Sequence, residues 1–336
     1  MRTVKFEFRT IVGLLVVPVV ISAFAASRAA TALEQPLATE IASAFAAVPN
    51  DPPPPELVRG LHYVVSNEVW VHLWKEVVTN RGGIQIGVGT DQNYLLAGWS
   101  RPEVLILTDF DQWVVDVHAM YRLAFLNAPT PAAFVDMWSA EGAERFGELI
   151  EKGIEDPKTR ARVLKVFGKV RKTISGRLRV ERRRHKENGV ASFLNDQAQY
   201  DFIVGLFRNN RVFAFRGDLT ASSTLRTIGE VATRHGLIVR VLYLSNAERY
   251  FEYGDDFRKN MTGLPCDERS IVLRTVGYDD DTKGDPYLYI YQDLSNFTKW
   301  LERRSVTDFK PIVRRRELVK EPALFQIRKL PPTRRK

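Results

Sequence analysis

Two glycines, Gly87 and Gly89, follow a short run rich in β-branched residues, Ile84, Ile86 and Val88. A helix-compatible stretch comes next, then a second apolar run, Val104–Leu107, that ends in Asp109 and Asp111. This is the order of a nucleotide-type βαβ unit. Glycines let backbone N–H groups approach a ligand, and an acid about 20 residues later accepts hydrogen bonds from ribose hydroxyls. Gly82–Asp111 therefore points at a nucleoside-type ligand. The pattern is incomplete. A dinucleotide fingerprint would have glycine where Gln92 stands, and a Gly-x-Gly-x-Gly loop would have it where Asp91 stands. The competing reading of the two glycines is a tight strand-to-helix turn.

Three further polar groups fall where parallel strands would end: Asp218 in Arg216-Gly217-Asp218, and the pair Ser245-Asn246. Ligands of open α/β sheets sit at the carboxyl ends of the strands, so these groups converge on Gly87 and Gly89 if the strands are parallel. Each also has a structural role open to it. Asp109 or Asp111 can cap the next helix, Asp218 can serve a turn, and Asn246 can cap the helix from Ala247. Glu68 either reaches a ligand ammonium or sits favourably in a first helical turn.

Other chemistries find no support. His62, His72, His118, His185 and His235 are scattered without zinc-site spacing, so no metal is expected. There is no Gly-x-Ser-x-Gly elbow and no phosphate-binding loop ending in Gly-Lys-Ser/Thr. Cys266 is the single cysteine, so an internal disulfide is excluded, and it reads as a buried or inert thiol.

The elements that must position these residues alternate. Asn67–Thr79 has helical spacing of Val69, Trp70, Leu73, Trp74, Val77 and Val78, with Ser66 as its cap. Strands are expected at Ile84–Val88, Val104–Leu107, Arg211–Phe215, Leu237–Leu244, Ser270–Val276 and Tyr287–Tyr291, and helices at Ser222–His235, Ala247–Lys259 and Phe297–Arg303. Strands alternating with helices predict an α/β fold, a doubly wound, mostly parallel sheet. A helical insertion, about 125–205, follows the second core strand, because a βα connection takes only a few residues.

The chain has 336 residues and a net charge of +9, unevenly placed. Residues 158–186 hold thirteen Lys or Arg and one acid, Glu181, and residues 301–336 hold twelve against four. The rest of the chain after residue 32 is acidic. Lys158–Lys186 reads as a helix with one buried stripe and a solvated face. If it binds, an anionic lipid or glycan suits it better than nucleic acid. Arg2, Lys5 and Arg9 precede the apolar run Ile11–Ala26, with small residues at Ala23-Phe24-Ala25 and Ala30-Thr31-Ala32. Residues 1–32 therefore read as an export signal, periplasmic or secretory, with an uncleaved anchor as the alternative. Pro49 and Pro52–Pro55 make 33–57 a spacer, 58–303 the domain, and 304–336 a basic tail ending in a disordered segment.

The strings SNE (Ser66–Glu68), GGIQIGVGTDQN (Gly82–Asn93), RP (Arg101-Pro102), LTDFD (Leu107–Asp111), RGDL (Arg216–Leu219) and VLYLSNAERYF (Val241–Phe251) carry a resemblance. The chain resembles an uncharacterised bacterial family, leptospiral members included, related to the S-adenosylmethionine-dependent methyltransferase Rossmann fold, over about residues 58–300. That resemblance implies S-adenosylmethionine as cofactor. Gly87 and Gly89 would approach its methionine and ribose, with Asp91 in place of a third glycine. Asp109 or Asp111 would bind ribose, Asp218 would lie near adenine, and Asn246 would face a substrate oxygen or nitrogen that takes the methyl group. Export separates such an enzyme from its cofactor supply. The alternatives are a non-catalytic binding or scaffold protein of the cell envelope that keeps the fold, and an unrelated enzyme of nucleosides or nucleotide sugars.

Overall fold

The computed structural model describes residues 35–277 and 287–332; the expected export signal, 1–32, lies outside them. Eight strands form one sheet: β1 (Ile84–Val88), β2 (Val104–Asp109), β3 (Val212–Arg216), β4 (Val239–Tyr243), β5 (Ile271–Gly277), β6 (Tyr287–Asp293), β7 (Glu317–Lys320) and β8 (Leu324–Ile327). Their order is β3-β2-β1-β4-β5-β6-β8-β7. The pairings from β3 to β5 are all parallel, β6 runs antiparallel to β5, and β8 runs parallel to β6. The expected α/β fold with a mostly parallel sheet is observed. β1 is buried along its whole length and β2 along all but its last residue, as central strands covered on both faces must be.

The chain steps outward from β1 to β3 and then returns to the other side of β1 for β4. With right-handed crossovers, that reversal sends the helices of the two halves to opposite faces. The packing agrees. Helix Gln197–Arg208 meets Gln92–Ser100 and Gln112–Asn127, whereas Thr224–Arg234 meets Asp255–Thr262 and Thr39–Ala46. The reversal lies between β1 and β4, so their carboxyl ends border the crevice of such a sheet.

The segment between β2 and β3 is entirely helical in its regular structure, and its centre is the helix Pro157–Glu187. Asp156 caps that helix by accepting from Thr159 N, Pro157 occupies the first turn, and Arg184, His185 and Lys186 fill the last. Val163, Val166, Phe167, Val170, Ile174 and Leu178 are buried at helical spacing. They face the helices Gln112–Asn127 and Ala143–Gly153. Beneath them Tyr94, Tyr121, Phe125, Phe134, Tyr200 and Phe207 form an aromatic cluster with centroid separations from 4.4 Å upward. Among the described residues, no helix is long and apolar enough to cross a membrane.

Several elements differ from the sequence expectation. The described part of the spacer, from Gln35, is folded: Leu37 N donates to Asn209 O, and Phe45 is buried against Phe213. Asp51 is buried and accepts from Asp218 N and Thr224 N, so this segment covers the β3 edge. The basic tail also belongs to the fold. Its β8 pairs with β6, whose outer edge would otherwise be left open, and Leu324 and Ile327 reach the core. The Asn67–Thr79 helix is reduced to a 3-10 turn, Val71–Trp74, and one α turn, Lys75–Val78. Ala247–Lys259 divides into a 3-10 turn, Ala247–Tyr250, and a helix from Asp255, with Gly254 at the break. Cys266 is exposed, not buried.

Candidate functional site

The turn after β1 is tight because Gly87 and Gly89 are required there. A Cβ on Gly87 would lie 1.9 Å from Asn93 Oδ1 and 3.3 Å from the Tyr243 ring, its neighbour in register on β4. Gly89 has φ +79, and a Cβ there would meet Gln92 Nε2 at 2.6 Å. The space beside the glycines is thus taken by Gln92 and Asn93 of the following helix. Asn93 Nδ2 donates to Val88 O at 2.8 Å and Gly89 O at 3.2 Å. His118 Nε2–H also donates to Gly89 O, at 2.9 Å, and burial lowers its pKa from 6.5 to about 4. The imidazole is therefore neutral and acts as a strut for the turn.

Asp109 and Asp111 are brought to the same turn. Gly89 N donates to Asp109 Oδ2 at 3.2 Å, and Asp111 N donates to Asp109 Oδ1 at 3.0 Å. Burial, with the neighbouring charge of Asp111, raises the Asp109 pKa from 3.8 to about 7, against the pull of these backbone bonds. Asp111 caps the next helix through Trp113 N at 2.9 Å. It also accepts from His62 Nδ1–H at 2.8 Å, and the His62 ring stacks on Trp113 at 3.6 Å. Both acids are engaged by the protein's own donors.

Asp91 and Glu68 belong to a second, deeper network, and each is 1% exposed. Arg177, from the middle of the long helix, donates from Nε to Asp91 Oδ2 at 2.9 Å and from Nη1 to Glu181 Oε1 at 2.8 Å. Its Nη2 donates to Glu68 O at 3.0 Å. Burial works against the Arg177 charge, and the carboxylates of Asp91 and Glu181 more than offset it, so its pKa is raised. Glu181 is fully buried and also accepts from Arg184; burial raises its pKa to about 7. The Glu68 carboxyl accepts from Tyr243 Oη, from Ser245 Oγ at 2.9 Å and from Thr275 Oγ1 at 2.6 Å. Burial raises its pKa despite these hydroxyls. Glu68 lies outside any helix, so a first-turn placement does not describe it; it ties the segment before β1 to the ends of β4 and β5.

The other two expected site residues, Asp218 and Asn246, make contacts of their own. Asp218 accepts from Thr220 N at 2.8 Å and Thr220 Oγ1 at 2.7 Å, a turn closed on itself. Asn246 Nδ2 donates to Tyr287 Oη at 3.2 Å, an oxygen that also accepts from Asn67. A polar cleft of about 680 Å³ opens beyond Thr275, lined by Glu248, Arg249, Tyr250, Phe251 and Gly277, at the carboxyl ends of β4 and β5. Among the described residues, no group of His, Cys, Asp and Glu could hold a metal ion.

Sequence reasoning missed Arg177, Glu181, His62, Tyr243 and Thr275 as members of these networks. One signal was present. Glu181 is the only acid in the basic run, and it continues the buried spacing Val170, Ile174, Leu178. A carboxylate there requires a cation beside it, and Arg177 is one turn earlier.

These features define an α/β protein whose polar networks gather at the carboxyl ends of its parallel strands. The chain belongs to the family described as a domain of unknown function, DUF7790, which matches residues 63–329. That span takes in β7 and β8, which lie within the expected basic tail, 304–336. No curated protein matches the chain.

Proposed function

We propose that this is a non-catalytic binding or scaffold protein, built on a methyltransferase-like Rossmann core whose nucleoside crevice is closed by its own side chains. The observation that carries this reading is the buried pair of Arg177 with Asp91, which lays the long helix across the glycine turn. Gln92 and Asn93 fill the space beside Gly87 and Gly89, and Asp109 accepts from the turn's own amide where a ribose hydroxyl would donate. The Rossmann-like assignment is supported by the parallel order β3-β2-β1-β4-β5 and the antiparallel strand beside β5. The charge pattern of residues 2–26 supports export to the cell envelope, away from the cytoplasmic source of S-adenosylmethionine.

A second reading keeps the crevice in use, as an S-adenosylmethionine-dependent methyltransferase or a binder of a related nucleoside. The Gly-x-Gly turn and the partly exposed Asp109 favour it, but ligand entry then requires Arg177 to leave Asp91. Thermal-shift titration with S-adenosylmethionine and its demethylated product separates the two. A ligand at a hundredfold excess over its dissociation constant stabilises a fold by about 2.7 kcal/mol. The closed crevice predicts no shift with either compound. A saturable rise in melting temperature would replace the scaffold reading with the second one.

A further inference from the structure

The long helix has an outer face that the crevice networks do not use. Lys158, Arg162, Lys165, Lys169, Lys172, Arg179, Arg183 and Lys186 are all exposed. Their separations of four, three, four, three, seven, four and three residues keep them on one side of a 3.6-residue helix. The seven-residue step passes over Gly176, whose surroundings are open, as are those of Gly168. At 1.5 Å per residue the stripe is about 42 Å long. Two of the eight cations meet carboxylates: Arg162 with Asp116 at 2.9 Å, and Arg183 with Glu187 at 3.9 Å. Lys158, Lys165, Lys169, Lys172, Arg179 and Lys186 make no ion pair with a described residue. Gathered on one side of the helix, these cations form a positive stripe that attracts an anionic surface.

We propose that this face of the helix Pro157–Glu187 docks the protein flat on an anionic lipid surface. The inference does not rest on the closed crevice. A straight stripe on a convex rod presents its cations to a plane together. The residues between them on that face are Ala161, Gly168, Thr173, Gly176 and Val180, with no aromatic ring to stack on nucleic-acid bases. Val180, 40% exposed, is the one large apolar side chain there, so attachment is electrostatic and peripheral, without insertion. The apolar run Ile11–Ala26, which reads as an export or anchor segment, brings the chain to a membrane in either case.

The test is vesicle co-sedimentation of the full chain with neutral phosphatidylcholine vesicles and with vesicles holding about 30% phosphatidylglycerol. Arg2, Lys5 and Arg9 beside the apolar N-terminal run also favour anionic lipid, so the share of this helix face is read by comparing wild type with a helix-face variant on the same vesicles. The expected result is a preference for anionic vesicles that disappears at about 0.5 M salt. Each lysine near such a surface is worth about a fivefold change in partitioning, so the triple variant Lys165→Gln, Lys169→Gln, Lys172→Gln should bind about a hundredfold more weakly. These side chains are exposed, and an unchanged melting temperature confirms that the variant is folded. Equal binding to both lipids overturns the proposal, as does unchanged anionic binding by the folded triple variant. Salt-matched binding to duplex DNA that is tighter than to vesicles, and lost in the same variant, also overturns it in favour of a nucleic-acid surface.

Discussion

Replacing Arg177 by methionine should cost about 3–5 kcal/mol, the range for removing one partner of a buried ion pair. The Arg177 side chain is 9% exposed, and the side chains of its partners Asp91 and Glu181 are 2% and 0% exposed. Without the guanidinium, Asp91 keeps only the Ser66 amide and the Thr90 hydroxyl, both at 3.3 Å, and Glu181 keeps Arg184. Methionine retains most of the packing volume, so the loss reports the charge and not a cavity. A fold of this kind has about 5–15 kcal/mol in all, so the variant remains measurable in most of that range. Burial already raises the Glu181 pKa to about 7, and losing Arg177 should raise it further in the folded state. A raised folded pKa means stability that is full at low pH and lost as pH rises, so the defect should be larger at pH 8 than at pH 5. Urea unfolding followed by circular dichroism, extrapolated linearly at both pH values, gives the two numbers. Adding Asp91→Asn should recover part of the loss, because it removes one of the stranded charges. A loss below about 1 kcal/mol, the scale of an exposed pair, would refute the buried lock, as would an equal loss at both pH values.

Asp109→Asn removes a carboxyl whose folded pKa is raised from 3.8 to about 7, so wild type should lose stability relative to this variant as pH rises from about 4 to 7. The full difference corresponds to at most about 4 kcal/mol; paired urea titrations at several pH values read it, and parallel profiles would count against the raised pKa of this carboxyl. Gly87→Ala places a methyl group against Asn93 and Tyr243 and should cost about 1–3 kcal/mol by overpacking. Thermal unfolding measures it, and an unchanged midpoint would mean that the space beside Gly87 is open after all.

Much of the sheet was legible because its strands carry strong local signals. Ile84, Ile86 and Val88 before a glycine turn, and Val104–Leu107 before two acids, lie within the observed β1 and β2. The long basic helix and its buried stripe were legible for the same reason: spacing of three and four among charged residues survives any composition. The two C-terminal strands, β7 and β8, were not. All four residues of Glu317–Lys320 are exposed, and their pairing depends on β8 and β6, which are distant choices of partner and not local patterns. Thr39–Ala46 was obscured by the proline cluster that follows it, and its helix is held by Phe45 against Phe213, a contact across about 170 residues that no local window contains. Of the site, the glycine turn and its acids were visible as residue types. Their engagement was not, because Arg177 reaches Asp91 across 86 positions of sequence and looked like one cation among thirteen.

The closed crevice is tested most directly by equilibrium dialysis of labelled S-adenosylmethionine against the folded wild-type protein. At ligand concentrations up to about 1 mM, where even an affinity of about −5 kcal/mol gives visible occupancy, a closed crevice shows no saturable binding. Saturable uptake displaced by the demethylated product and weakened by Asp109→Asn would contradict it, because the glycine turn would then be serving a nucleoside and not its own side chains.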